Sequence, residues 1–138
     1  MKHSIIGAIA CATLATPLLA AGDAAKGEAE FKKCKSCHMI VGADGTEIVK
    51  GGKVGPNLYG VVGRAPGSVE GFKYGESIVA VGAGGLVWDE AEITAYVADP
   101  KAWLVEKTGD AAAKTKMTFK VAKGGEDIAA YLASVAAQ

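Results

Sequence analysis

Apolar and polar positions follow a helical period in five stretches of this chain and lose it between them. Asp23 is a good N-cap, and Ala24, Gly27, Phe31, Cys34 and His38 then recur at spacings of three and four, which places them on one helical stripe. From Met39 to about Gly71 the period fails, because glycines, Pro56, Asn57 and Pro66 break it repeatedly. A short helix is expected over Gly75 to Val81. Another begins after Trp88, where Asp89 and Glu92 form a capping-box pair, and it stops before Pro100. Asp99-Pro100 caps and starts the next, which runs through Trp103 and Leu104 to Thr108-Gly109. The last covers about Val121 to Ala136, with Ile128, Tyr131, Leu132 and Val135 on its buried face. No stretch shows strand alternation. The expected class is all-α, with about five helices too short to enclose a large core alone. A loop as long as 39–71 needs some other surface to lie against.

The chain has 138 residues, about one domain's worth. Its N-terminus, "MKHSIIGAIACATLATPLLAAG", has a basic start, an apolar run and a small-residue end, the layout of a secretory signal peptide. Residues 1–21 are therefore expected to be removed after Ala21 or Gly22, leaving a single domain over 22–138. Cys11 lies inside the discarded segment, where it is a small apolar residue and not a lipid acceptor. Loss of Lys2 leaves 14 basic side chains against 15 acidic ones, a net charge of −1. That balance argues against nucleic acid as a partner.

The mature chain keeps two cysteines and one histidine, all within "CKSCH". A disulfide closing so small a loop would constrain the unfolded chain very little. A zinc site wants four ligands, and no further Cys or His is present. A thioredoxin-like dithiol belongs near a βαβ unit, and no parallel-sheet pattern exists. Covalent haem attachment through Cys-x-x-Cys-His is the reading that remains. Cys34 and Cys37, one helical turn apart, reach two positions along one edge of the macrocycle, and His38 meets the iron. A haem would also supply the surface that the long loop needs. The other axial ligand follows by elimination. Met39 is tied to the proximal side, so Met117 in "KTKMTFK" is the candidate. His/Met ligation raises the haem potential and closes the iron to small ligands, which suits electron transfer.

In these residues the chain resembles the class I cytochromes c, and more closely the bacterial cytochrome c2 group. The likeness is carried in order by "GDAAKGE", "FKKCKSCH", "GPNLYGVVGR", "FKY", "LVW", "ITAYVADPKAWL", "TKMTFK" and "EDIAAYL". It implies the cytochrome c fold around one haem c, with thioethers at Cys34 and Cys37 and His38 and Met117 as axial ligands. It implies that the Pro56 carbonyl orients the His38 imidazole, and that Arg64, Tyr74 and Trp88 serve the haem propionates. It places Tyr96 and Thr115 near the methionine sulfur, and Gly27 and Tyr131 at a close crossing of the first and last helices. The loops from His38 to Pro56 and from Pro100 to Met117 are longer than in mitochondrial cytochrome c. That relative is also strongly basic, and this chain is not.

Lys32, Lys33 and Lys35 flank the attachment motif, and Lys114, Lys116, Lys120 and Lys123 flank Met117. If the two segments meet around the haem, seven lysines ring one face while Asp89, Glu90, Glu92, Glu126 and Asp127 lie elsewhere. Such a dipole would dock briefly on acidic partners. The resemblance implies a periplasmic monomer and no enzymatic activity. It implies that electrons pass from a cytochrome bc1 complex to a photosynthetic reaction centre or terminal oxidase. The alternatives are an open-site haem protein, such as a peroxidase or gas binder, and a thiol-disulfide module using free Cys34 and Cys37.

Overall fold

Asp23 opens the first helix as its position predicts, with its carboxylate accepting the N–H groups of Ala25 and Lys26 at 2.9 and 3.2 Å. The computed structural model describes residues 22–136; the export segment expected over 1–21 lies outside them. Helix α1 covers Ala24–Glu30 and tightens into a 3-10 turn over Phe31–Lys33. The helical stripe expected to run unbroken to His38 therefore ends earlier, and the cysteines sit on the turn that follows.

The loop expected from Met39 to Gly71 contains a small antiparallel hairpin, β1 (Ile40–Val41) against β2 (Glu47–Val49), with a register irregularity between Ile40 and Val41. Alternation over so few residues leaves no sequence signal. The hairpin owes its place to the fully buried Ile40 and to a turn in which Asp44 accepts the Thr46 N–H and hydroxyl, both at 2.9 Å.

Four more helices follow: α2 (Glu76–Ala83), α3 (Glu90–Ala98), α4 (Pro100–Thr108) and α5 (Gly125–Val135). The caps on α3 and α4 are those the sequence predicts. Asp89 accepts the Glu92 N–H at 2.7 Å, and Asp99 accepts that of Ala102 at 3.0 Å. Each such cap is worth about 1 kcal/mol. Gly109 closes α4 in the left-handed conformation at φ 69°. Only half of the capping box forms, since the Glu92 carboxylate turns to Trp103 and Lys107 on α4 instead. Helix α5 starts four residues later than expected, after Gly124. Its Ile128, Tyr131, Leu132 and Val135 are buried as anticipated.

Helices α1 and α5 cross in contact, α3 also packs against α5, and Phe31 meets Tyr131 with ring centroids 5.7 Å apart. The crossing is possible because residue 27 has no side chain. A Cβ there would stand 1.8 Å from the Asp127 carbonyl oxygen and 2.8 Å from the Tyr131 Cβ. Gly27→Ala should therefore destabilise the protein by about 3 kcal/mol, near the upper end of overpacking costs, as the helices are forced apart. Gly45→Ala has open space around it and only a left-handed φ to strain, so its cost should stay at about 1 kcal/mol. Denaturant unfolding of both variants checks the difference, and equal losses would contradict the crossing.

Candidate functional site

Cys34, Cys37 and His38 share one tight turn. The N–H groups of Cys37 and His38 both donate to the Cys34 carbonyl, at 3.1 and 2.8 Å. All three side chains line one cavity of about 510 Å3, within the range of small-molecule and cofactor sites.

A glycine-rich segment wraps this turn. Gly52 N–H donates to the Lys35 carbonyl and Gly55 N–H to that of Cys37, each at 2.8 Å. A Cβ on Gly51 would stand 1.9 Å from the His38 carbonyl oxygen, one on Gly52 2.2 Å from that of Ser36, and one on Gly55 2.2 Å from His38 Cε1. Side chains at these positions would lift the segment off the turn. Sequence reasoning treated these glycines only as loop breakers. The dense "KGGKVGP" spacing was the one signal of a close backbone approach.

The same segment carries Pro56, whose carbonyl lies 2.8 Å from His38 Nδ1. A carbonyl only accepts, so Nδ1 bears the proton and Nε2 presents a lone pair. Burial holds the imidazole below its ordinary 6.5, with the Pro56 hydrogen bond pulling back upward. Cys34 and Cys37 are free thiols. Burial pushes the Cys34 thiol up from 9.0 to about 11, against the opposing charge of Lys33 and with a further rise from Cys37. A redox-active dithiol has a lowered thiol pKa, so Cys34 has the opposite character.

The cavity gathers all ten residues that the sequence points to as cofactor neighbours: Cys34, Cys37, His38, Pro56, Arg64, Tyr74, Trp88, Tyr96, Thr115 and Met117. The Met117 carbonyl accepts the Thr115 hydroxyl at 2.8 Å. Burial raises the Tyr96 hydroxyl, with a Thr115 contact opposing it. Arg64 spans two loop carbonyls, of Tyr59 and Asn57, at 3.1 Å each. Burial lowers its pKa while the Tyr74 hydroxyl nearby raises it. The Tyr74 hydroxyl accepts the Val69 N–H at 3.3 Å, which leaves its own proton for another acceptor. Leu58, Val61, Ile78, Ile93, Leu104 and Ile128 make much of the wall apolar. Among the described residues no group of three His, Cys, Asp or Glu could hold a metal ion. Two free thiols, an imidazole lone pair, a thioether sulfur and an apolar wall fit a covalently attached haem.

The lysines are only partly gathered. Lys33, Lys114 and Lys116 line the cavity, and so does Lys73, which sequence reasoning missed. Lys116 Nζ donates to the Lys73 carbonyl at 2.8 Å. Lys32 and Lys35 are exposed and lie outside the lining. Lys33 pairs with Glu30 and Lys120 with Asp99, the latter at 2.7 Å. Lys123 shares a groove with Glu30, Glu126 and Asp127. The expected segregation of charge is thus incomplete on the α1–α5 side and clearest around Lys73, Lys114 and Lys116. Val54 and Phe119 stand beside the lysines as exposed apolar lining, 77% and 48% accessible.

No protein-family model matches the chain. It is 62% identical over 136 residues to a cytochrome c-550 of Paracoccus versutus, across 96% of this chain and 88% of that one. It is also 62% identical over 136 residues to a cytochrome c2 of Rhodobacter capsulatus, across 98% of each. Among solved structures, the Rhodobacter capsulatus cytochrome c2 superposes with a TM-score of 0.82 at 67% identity, over 83% of this chain and 98% of that one. Ferric cytochrome c-550 from Paracoccus versutus gives 0.81 at 64% identity, over 83% and 98%.

Acid works against the neutral His38 ring. The unfolded chain takes up a proton near 6.5 and the folded protein only at lower pH. The stability this difference contributes is full above 6.5 and is lost as pH falls from there through the lowered folded value. An NMR titration of a His38 ring whose Nε2 is unligated should show a midpoint below 6.5, and a ring whose Nε2 is held by a metal should show none. A midpoint at or above that value would contradict the buried, hydrogen-bonded ring.

Proposed function

Since the chain belongs to the cytochrome c2 and c-550 family, we propose that it is a periplasmic one-electron carrier with a single His/Met-ligated haem c. Members of this family carry covalent haem c and shuttle electrons with membrane redox complexes; they are electron carriers and not enzymes. The observation that supports the finer reading best is the convergence of two free thiols, the His38 imidazole and the Met117 side chain on one apolar cavity.

When bound, haem supplies a one-electron ferric–ferrous couple. The chain's residues do the rest. Cys34 and Cys37 would tether it as thioethers. His38 would hold the iron through Nε2, with the ring kept in place by Pro56. Met117 would hold the iron through its thioether sulfur, which would favour the reduced state and leave no room for small molecules. Tyr96 and Thr115 position the Met117 loop. Arg64, Tyr74 and Trp88 bring hydrogen-bond donors to the propionates. The apolar wall excludes water, so little solvent reorganises when the charge changes. An apolar wall with a methionine favours the carrier over an open-site peroxidase or gas binder. The raised Cys34 pKa weighs against the dithiol reading.

In this reading residues 1–21 direct export and are removed, and 22–138 act as a monomer. No helix among the described residues is long and apolar enough to cross a membrane. The electron donor would be a cytochrome bc1 complex and the acceptor a photosynthetic reaction centre or a terminal oxidase. Docking would use the lysines, led by Lys114 and Lys116 with Lys32, Lys33, Lys35 and Lys123 around them. Lys33 and Lys120 are the weakest members, because Glu30 and Asp99 already pair with them.

Electron transfer to an acidic partner should therefore slow as ionic strength rises. Lys114→Glu combined with Lys116→Glu should slow it by about tenfold at low salt and flatten the salt dependence. Lys120→Glu should do much less. Stopped-flow rates against salt concentration check this, and rates insensitive to both salt and charge reversal would rule out lysine docking.

A further inference from the structure

Trp88 lines the cavity, yet its own hydrogen bonds do not set its ring. Its backbone is pinned, with the N–H on the Arg64 carbonyl at 2.9 Å and the carbonyl on Gly63 N–H at 2.7 Å. The indole N–H has no partner among the described residues, and none of their fully buried side-chain polar atoms is left unpaired. This N–H is therefore not sealed in, and the ring that carries it lines the cavity.

What orients the ring stands behind it. Trp103 is 3% exposed and does not line the cavity. Its indole lies nearly parallel to that of Trp88, with centroids 4.9 Å apart and planes at 22°. Tyr96 meets Trp88 and Trp103 with centroids 5.2 Å from each, in edge-on geometry. Trp103 Nε1 donates to Glu92 Oε2 at 2.8 Å. The other Glu92 oxygen accepts Lys107 Nζ at 2.7 Å, and that ammonium stands 5.8 Å from the Trp103 ring centroid. An indole has one donor, so a single in-plane hydrogen bond stops Trp103 from turning in its slot. A stacked neighbour cannot then turn without losing its face contact.

We infer that Glu92 is a positioning residue for the cavity: its carboxylate fixes Trp103, and the stacked face of Trp103 fixes the Trp88 indole N–H as a donor toward the group held there. The inference rests on reading the cavity as a haem site. The competing role for Glu92 is a plain tether between α3 and α4 through Lys107.

Two variants of the haem-containing protein separate these roles. Glu92→Gln and Glu92→Met remove the same charge and have similar length, and only Gln keeps an acceptor for Trp103. Two quantities are read, the midpoint potential and the hydrogen-exchange rate of the Trp88 indole N–H. The expected result is that Glu92→Gln exchanges at close to the wild-type rate. Glu92→Met should exchange faster by about tenfold and have a midpoint different from that of Glu92→Gln. If Glu92→Met does not fold, Trp103→Phe, which keeps an aromatic face and loses the N–H, should show the same two changes. Identical midpoints and identical exchange rates in Glu92→Gln and Glu92→Met would overturn the inference and leave Glu92 as a tether, with the haem reading untouched. A wild-type protein without c-type absorption bands would overturn both.

Discussion

His38 Nδ1 and the Pro56 carbonyl lie 2.8 Å apart, and much of the surrounding chain is arranged to keep them there. The carbonyl can only accept, so the contact selects the tautomer and points the other nitrogen's lone pair away from the loop. Pro56 in turn has no freedom. The neighbouring Asn57 side chain accepts the Val41 N–H at 3.0 Å and donates to the Val41 carbonyl at 2.8 Å. Arg64 bridges the carbonyls of Asn57 and Tyr59. Gly51, Gly52 and Gly55 press the same segment onto the Cys34–His38 turn. Hairpin, loop and turn are thus one mechanical unit, and its output is the direction of one imidazole.

The helices form the second unit, and they are short, seven to eleven residues each. Such helices have little stability alone. Their aspartate caps and the α1–α5 crossing supply part of what holds them. The rest is shared with the cavity. Phe31, Val61, Trp88, Ile93, Leu104, Ile128 and Leu132 belong both to the buried core and to the cavity wall. Whatever fills the cavity therefore completes the core, so cofactor binding and folding stability are coupled. In a family that carries haem c covalently, this coupling explains how a loop as long as 39–71 stays ordered beside so few helices.

Legibility in the sequence followed the range of the interaction. The caps at Asp23, Asp89 and Asp99 act over two or three residues, and local pattern was enough to find them. Cys34, Cys37 and His38 were legible because the chemistry sits in five consecutive residues. Met117 could be proposed because few candidates remain in the sequence, and it lines the same cavity. The β1–β2 hairpin was not legible, since its strands have two and three residues and one of its contacts, Asn57, lies well beyond it. The three glycines of the wrap could be read as breakers but not as contacts, because the atoms they avoid belong to another segment. Glu92 is the sharpest case. Local spacing assigned its carboxylate to a capping box, and a tertiary hydrogen bond to Trp103 won it instead. The lysines show the same limit: proximity in sequence to Met117 did not reveal that Asp99 already pairs with Lys120.

The most direct measurement is a visible absorption spectrum of the exported protein, oxidised and then reduced. Sharp c-type bands on reduction, together with a weak far-red band in the oxidised protein from a thioether sulfur on ferric haem, are the expected result. C-type bands without the far-red band would contradict Met117 as a ligand and turn the cavity into an open haem site. A correctly exported protein with no haem bands at all would contradict covalent attachment at Cys34 and Cys37.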